Sequence, residues 1–572
     1  MQEDQEQKRN VMLFFAISLI VMLGYPYVFK SSTPVQVSDL NNQSQEISTI
    51  SSEAQSSDTR LASRRENTVP QAEVKTIKIR APRISGTIST KGLKFSDVNL
   101  NDYTQEYDNQ DKVSIFGKEN YFAVSGWKSD DNSIVLPNEN SCWETDGTKL
   151  TPESPITLTW DNGSGLIFTK KISVDENFVF TITDEVKNNG AEAVRLKNTT
   201  LIYREVGKDK SESIGFYHGP IGYFDGKLRE VGYDDIDKKK EISYKSKGGW
   251  FGITDKYWLV SFIPEHNSSY SVNYKSLGNG NYAVESSEDW SVVNPSSKFS
   301  KDYHLFIGAK EINTLDMYEE KLNVPHLDLV IDFGYLYILT KPLLYAMSYV
   351  KDLIGNMGFG ILLITLLLKL LLFPLANKAY RSMNRMKTIQ PKVKALQAKY
   401  AGDQMKLGQA VSELYRKEKI NPMGGCLPMF LQWPILFALY KVLYISIEMR
   451  QAPFIWWIHD LSVADPWSIL NLGGLIPVTL PGFLQIGIWP LLMGLSMWVQ
   501  QKMGPAPADP SQAKMMMIMP IMFTLMFSRL PSGLIIYWTF SNLFAIAQQY
   551  VIRKVDEKNA LAKSESKAGA KS

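Results

Sequence analysis

The chain has 572 residues, 44% of them hydrophobic and 21% charged, with a formal net charge of +3. That length is too great for one compact core, and the near balance of charge excludes a strongly basic nucleic-acid binder. Two cysteines exclude a disulfide scaffold, and the lack of CxxC, HExxH or a Gly-rich phosphate loop leaves neither a metal site nor a cofactor with sequence support.

The average composition hides a division. Apolar residues crowd into 11–29 and roughly 353–552, while the stretch between is rich in Ser, Asn, Asp, Lys and Tyr. This is the pattern of a membrane protein joined to a large soluble domain. Residues 1–10 are polar, with Lys8 and Arg9 ahead of the first apolar run, Val11 to Phe29. Such a run spans ~30 Å of hydrocarbon at ~1.5 Å per residue. Gly24-Tyr25-Pro26-Tyr27-Val28-Phe29-Lys30 offers no small-x-small cleavage site, so the run reads as an uncleaved anchor. Residues 30–75 form a Ser-rich linker with too little apolar surface to offset ordering entropy.

Residues 76–330 read as β-rich. Ile156-Thr157-Leu158-Thr159-Trp160 alternates, Asp161-Asn162-Gly163-Ser164-Gly165 is a turn, and strands resume at Leu166-Ile167-Phe168-Thr169 and Phe178-Val179-Phe180-Thr181-Ile182. Short strands between turn residues predict an antiparallel sandwich. Residues 331–352 are amphipathic and aromatic, which predicts a helix lying in the membrane interface, its helical part beginning at Pro342.

Five further spans are predicted at 353–376, 424–446, 483–501, 515–528 and 534–552, six in all. The loop 377–423 is basic, with 11 Lys/Arg against three acids over residues 377–420, and the tail 553–572 carries six more Lys/Arg. The loop 502–514 holds Lys502 and Lys514, the loop 447–482 only Arg450, and 529–533 is a short turn. Positive charge on alternate loops places both termini in the cytoplasm and residues 30–352 outside, in a periplasm. On this topology Cys142 and Cys426 lie on opposite sides of the bilayer and cannot pair. Val393 and Leu396, then Leu407, Val411 and Leu414, give the basic loop helical periodicity. Tyr400-Ala401-Gly402-Asp403 interrupts it with Asp403 as a cap, making a helical hairpin.

Lys369 is the most informative residue, because a lysine mid-span costs about 2.5–3.5 kcal/mol on insertion scales. The plain reading is snorkelling, but Asn377 is eight residues away, ~12 Å along a helix, about twice the reach of the side chain. A water-filled cavity open to the cytoplasmic leaflet resolves this, with Thr365 one turn back on the same face. The five later spans contain no Asp, Glu or His, which argues against a proton relay or ion-coupled transport. All five histidines lie outside the spans, so intramembrane proteolysis lacks its chemistry. Gln432 and Trp433 sit between Pro428 and Pro434 and suit either a cavity wall or ordinary inter-helix bonding. The span 515–528 is short, ~20 Å from Met515 to Phe527, and rich in methionine (Met515, Met519, Met522 and Met526 among them), which suits an adaptable apolar slide or plain packing. Trp538, Ser541 and Asn542 add polar character to the last span.

These residues resemble the YidC family of membrane protein insertases. The resemblance runs from about Phe333 to Val555 through Phe373-Pro374-Leu375, Asn421-Pro422-Met423-Gly424-Gly425-Cys426-Leu427-Pro428 and Arg450-Gln451-Ala452-Pro453-Phe454. It continues through Trp457-Ile458-His459-Asp460-Leu461-Ser462, Asp465-Pro466, Leu530-Pro531-Ser532-Gly533 and Tyr537-Trp538. It implies a five-helix insertase core behind the anchor and a periplasmic β-super-sandwich of sugar-mutarotase type, a fold that carries no function by itself. It further implies non-enzymatic insertion and folding of nascent inner-membrane proteins and some lipoproteins, alone or with the Sec translocon, with the ribosome met by the hairpin and basic tail. The implied groove residues are Lys369, Thr365, Gln432, Trp433 and Trp538, beside a hydrophobic slide of Met429, Phe430 and the four span-five methionines. Many members have arginine where this chain has Lys369. Lysine keeps the charge and loses the bidentate fork. A multi-span transporter with a periplasmic binding domain and a tethered carbohydrate-binding protein are the competing classes. The first lacks membrane carboxylates and two-half pseudo-symmetry, and the second expects the isolated sandwich to bind sugars.

Overall fold

A computed structural model describes residues 73–107, 109–116, 120–206, 216–400, 402–418, 427–469, 485–504 and 510–569. Within these, the side chains of 404, 427–432, 510–512, 557 and 559–569 are not described. The expected anchor at 11–29 and nearly all of the linker lie outside these residues. The chain forms two compact units. The first takes in the described residues up to Tyr103, Lys112–Gly308 and Glu320–Leu327, and the second Thr104–Asp111, Ala309–Glu319 and the described residues from Asp328.

The first unit is a sandwich of an 11-stranded and a 9-stranded sheet. The strands expected near 156–182 are present and longer than their apolar cores: Ile156–Asp161, Leu166–Val174 and Val179–Asn188. Their alternation is literal, Leu166–Val174 burying every second residue. The intervening turn is closed by Asn162, whose Oδ1 accepts from Ser164 N (2.8 Å) and Leu166 N (3.0 Å), with Gly163 at φ +70 where a side chain would be strained. Most pairing is antiparallel, as in Thr76–Arg80 with Ile84–Ser89, while Lys78–Ile79 run parallel to Lys149–Leu150. Rings meet between the sheets, Phe95 with Phe180 at 5.1 Å and Trp127 with Phe299 at 6.1 Å. The same interior holds a buried ion pair, Lys170 with Asp184. Asp184 also accepts from Tyr303 (2.7 Å) and Asn198 (3.0 Å), and Lys170 donates to Ser125 (2.7 Å). Each charge is therefore satisfied, the condition under which a buried pair is tolerated. A short helix, α1 (Tyr233–Lys239), follows the second third of the strands.

The second unit is helical. It contains most of α2 (Ile312–Lys321), then α3 (Tyr337–Ile354), α4 (Met357–Leu371), α5 (Phe373–Lys399), α6 (Gln404–Lys417), α7 (Leu427–Ile445), α8 (Ile488–Met503), α9 (Pro510–Phe527) and α10 (Ser532–Gly569). Helix α3 starts five residues before Pro342, which is accommodated inside the helix. Its outward residues Ile338, Pro342, Ala346, Tyr349 and Leu353 form one stripe at helical spacing. Gly355 ends it in the left-handed region at φ +73, and Asn356 caps α4 by accepting from Phe359 N at 3.1 Å.

The span expected to run unbroken to 376 instead stops at Leu371, and the chain bends by 68° into α5. Pro374 explains the break: it has no N–H to continue the α4 ladder, and its ring collides with the carbonyl four residues back. The basic loop begins inside α5 and forms the expected hairpin. Asp403 Oδ1 accepts from Lys406 N (3.1 Å) as the cap of α6, and Lys392 of α5 pairs with Glu418 at 2.5 Å. Helix α9 takes in Pro510–Lys514 and so reaches 18 residues, longer than the Met515–Phe527 core, while α10 continues through the basic tail for 38 residues.

No single described helix is long and apolar enough to cross a membrane, and α4 with α5 passes only as a bent pair. The surface pattern nevertheless reverses that of a water-soluble bundle. Leu366, Leu367, Leu370 and Leu371 of α4, Leu491, Leu492 and Leu495 of α8, and Met517, Ile518, Ile521, Met522 and Leu525 of α9 all face outward. Thr365, Ser496, Thr524, Thr539, Ser541 and Asn542 are buried. Exposed apolar area on this scale marks contact with lipid or a partner.

Candidate functional site

Helix α10 organises the bundle, packing against α4, α5, α7 and α8, while α8 also packs on α9. The buried hydroxyls are spent locally: Thr365 donates to Ile361 O (2.6 Å), Thr524 to Pro520 O (2.8 Å) and Thr539 to Ile535 O (2.8 Å). Asn542 donates across the α8–α10 contact to Ser496 Oγ at 3.0 Å. Gly494 lets α8 and α9 close up, since a Cβ there would lie 2.0 Å from Thr524 Oγ1.

Lys369 occupies the last turn of α4 and is half-buried, and among the described residues it makes no hydrogen bond or ion pair. Its position has a physical logic beyond charge. The last turn of a helix carries the negative end of its dipole, and Pro374 removes the donor that would have reached the Leu370 carbonyl. The Leu372 N–H turns back onto the Leu368 and Leu370 carbonyls, so the cation sits at the dipole-negative end of α4 with water as its natural partner.

The other expected site residues fall as follows. Thr365 is fully buried, with its hydroxyl committed to its own helix. Trp538 is half-buried and brought against α9, its ring 5.0 Å from Phe527 and 6.5 Å from Phe523. Trp433 is 42% exposed on α7. Met515, Met519 and Met526 are half-buried and Met522 is exposed, while Gln432, Met429 and Phe430 have side chains outside the described residues.

Three features were passed over in the sequence. Lys441, inside the expected 424–446 span, is a second cation, and it is paired with Asp332 at 2.7 Å. Its signal was visible as a lysine within an apolar run. Lys341 of α3 pairs with the buried Asp328 at 2.7 Å, and Tyr337 donates to the same carboxylate at 3.0 Å. Burial opposes the Lys341 charge, but the Asp328 contact prevails and holds its pKa above the usual lysine value. Asp465 is the third. Its Oδ1 accepts from Trp457 Nε1 (2.9 Å) and Trp467 N (3.1 Å), and its Oδ2 from Trp489 N (2.9 Å) in the first turn of α8. The loop it organises also satisfies the start of α10, where Ser532 N donates to Val463 O and Gly533 N to Leu461 O.

In the hairpin, burial and then the neighbouring Arg553 both draw Lys387 below the ordinary lysine value. Arg381 reaches Asp556 of α10 at 3.5 Å, so hairpin and tail meet at a basic surface.

A helical bundle with outward apolar faces on α4, α8 and α9, buried hydroxyl and amide groups within its apolar core, and a large β-sandwich ahead of it in the chain defines an integral membrane protein with an extramembrane domain. The 60Kd inner membrane protein family model matches residues 349–559, and the YidC periplasmic domain model matches residues 76–346. The chain is 46% identical over 497 residues to the membrane protein insertase YidC of Rickettsia bellii (strain OSU 85-389), covering 84% of this chain and 88% of that one. It is 45% identical over 494 residues to the same-named protein of Rickettsia conorii (strain ATCC VR-613 / Malish 7), covering 85% and 88%. A solved structure of an active YidC insertase with its first transmembrane domain resolved aligns with TM-score 0.35 and 17% identity, covering 84% of this chain and 95% of that one. The chain belongs to the YidC family of membrane protein insertases, inner-membrane proteins whose sandwich unit is the periplasmic domain.

Proposed function

We propose that this insertase works mechanically and electrostatically, through a hydrated groove around Lys369 that opens to the cytoplasm and to lipid. The supporting observation is a half-buried lysine without an ion pair among the described residues, at the carbonyl-rich end of a helix whose other flank is apolar. The polar flank of a nascent segment enters this groove, and the ammonium replaces part of its water shell. The apolar segment moves along the exposed faces of α7 and α9 into lipid. Transfer of apolar area, at ~25 cal/mol per Å², drives release without nucleotide, metal or covalent chemistry.

Six spans, with the anchor at 11–29 and both termini cytoplasmic, belong to this reading. Helices of 16 and 18 residues reach about 24 and 27 Å, so the bilayer thins beside them, which shortens the path of the polar flank. The basic surface formed by α5, α6 and the α10 tail suits the translating ribosome. Cooperation with the Sec translocon and handling of some lipoproteins complete the proposal.

The test compares Lys369→Ala with Lys369→Arg in depleted cells, scored by insertion of a small single-span substrate with an acidic translocated flank. The alanine form should lose most insertion and the arginine form should retain it. Full activity of the alanine form on every substrate removes Lys369 from the mechanism.

A further inference from the structure

The loop between α7 and α8 carries a second structure with no part in the groove. Residues Ala452 to Ile458 contain no charge, and Trp456 at their centre is 72% exposed. Its backbone sits in the left-handed region at φ +55, a conformation that a bulky residue holds only when its surroundings impose it. Those surroundings are visible. The Trp456 ring stacks on Trp457 at 5.6 Å and 21°, and Trp457 packs on Trp467 at 5.8 Å. The Trp457 indole N–H is fixed by the buried Asp465, which also grips the Trp467 and Trp489 backbone. The loop is thus a rigid mount that holds one indole outward, with Val463 (49%) and Ile469 (42%) exposed on the same loop.

We propose that Trp456 is an anchor that seats this loop in the headgroup region of the outer leaflet. The loop joins two helices with lipid-suited faces, so it lies at membrane level. An indole, apolar in body with one N–H donor, is the side chain that this layer favours. The proposal rests on the topology above, which puts the loop on the side opposite the basic hairpin.

The experiment uses the full chain in nanodiscs and sealed proteoliposomes, with Cys142 and Cys426 replaced by alanine and a fluorophore on Trp456→Cys. Val463→Cys is a second site, because its substitution leaves the tryptophan stack intact. Trp290→Cys, on the sandwich, is the aqueous control. Lipids brominated near the headgroup should quench positions 456 and 463 several-fold more than deep-brominated lipids do, and aqueous iodide should quench only position 290 strongly. Iodide quenching at 456 and 463 equal to that at 290, without lipid quenching, overturns the anchor. Externally added dithionite reads the side. Lipid quenching at 456 and 463 from the leaflet facing the hairpin overturns the topology and leaves the anchor in place.

Discussion

Replacing Asp465 by alanine tests how the outer loop is held. Three donors lose a charged acceptor. The Trp489 N–H is buried, so its loss exposes a full desolvation penalty of about 1–3 kcal/mol. The Trp457 and Trp467 groups are half-buried and partly rescued by water, at roughly 0.5–1.5 kcal/mol each. Relief of the buried carboxylate's own desolvation offsets part of this, leaving ~3 kcal/mol. For a helical unit of this size that lowers the unfolding midpoint by roughly 6–12 °C. The assay is thermal unfolding in detergent, paired with limited proteolysis at residues 452–467. Asp460→Ala is the control, since that carboxylate accepts only from Ser462 N at 2.7 Å among the hydrogen bonds described for it. A shift for Asp465→Ala no larger than for Asp460→Ala refutes the reasoning.

Gly494→Leu should separate α8 from α9 and cost about 1–3 kcal/mol or more, seen as lost disulfide trapping between cysteines placed on the two helices. Asn542→Leu should cost only about 0.6 kcal/mol, because inter-helix hydrogen bonds within membranes are weak, and insertion should be unchanged. Lys341→Met strands the buried Asp328 carboxylate and should cost ~3–5 kcal/mol, read as lowered thermal stability that Lys341→Arg largely restores.

Much of the architecture could be read before any coordinates. Period-two alternation marked the strands from Ile156 onward, because one face of each is buried. Helical spacing and an Asp cap marked the hairpin. The break at Leu371 was hidden because hydropathy runs smoothly through Phe373-Pro374, although the proline carries the reason for the bend. The α10 extension was hidden for the opposite reason, since charge ends an apolar run without ending a helix. Of the proposed groove only Lys369 stood out in the sequence, as an energetic anomaly visible in one dimension. Thr365 shares its face by spacing, yet its hydroxyl bonds Ile361, a choice set by burial rather than by period. Asp465 and the Lys441–Asp332 pair depend on contacts between residues distant in sequence, which no local pattern encodes.

The central claim is that water reaches position 369 from the cytoplasmic side. Reaction of Lys369→Cys with a charged, membrane-impermeant thiol reagent, in vesicles exposing the cytoplasmic face and lacking other cysteines, measures this directly. Reaction much faster than at Leu367→Cys, whose parent side chain is 53% exposed on the apolar flank of the same helix, is the predicted result. Equal and negligible rates at both positions would contradict it.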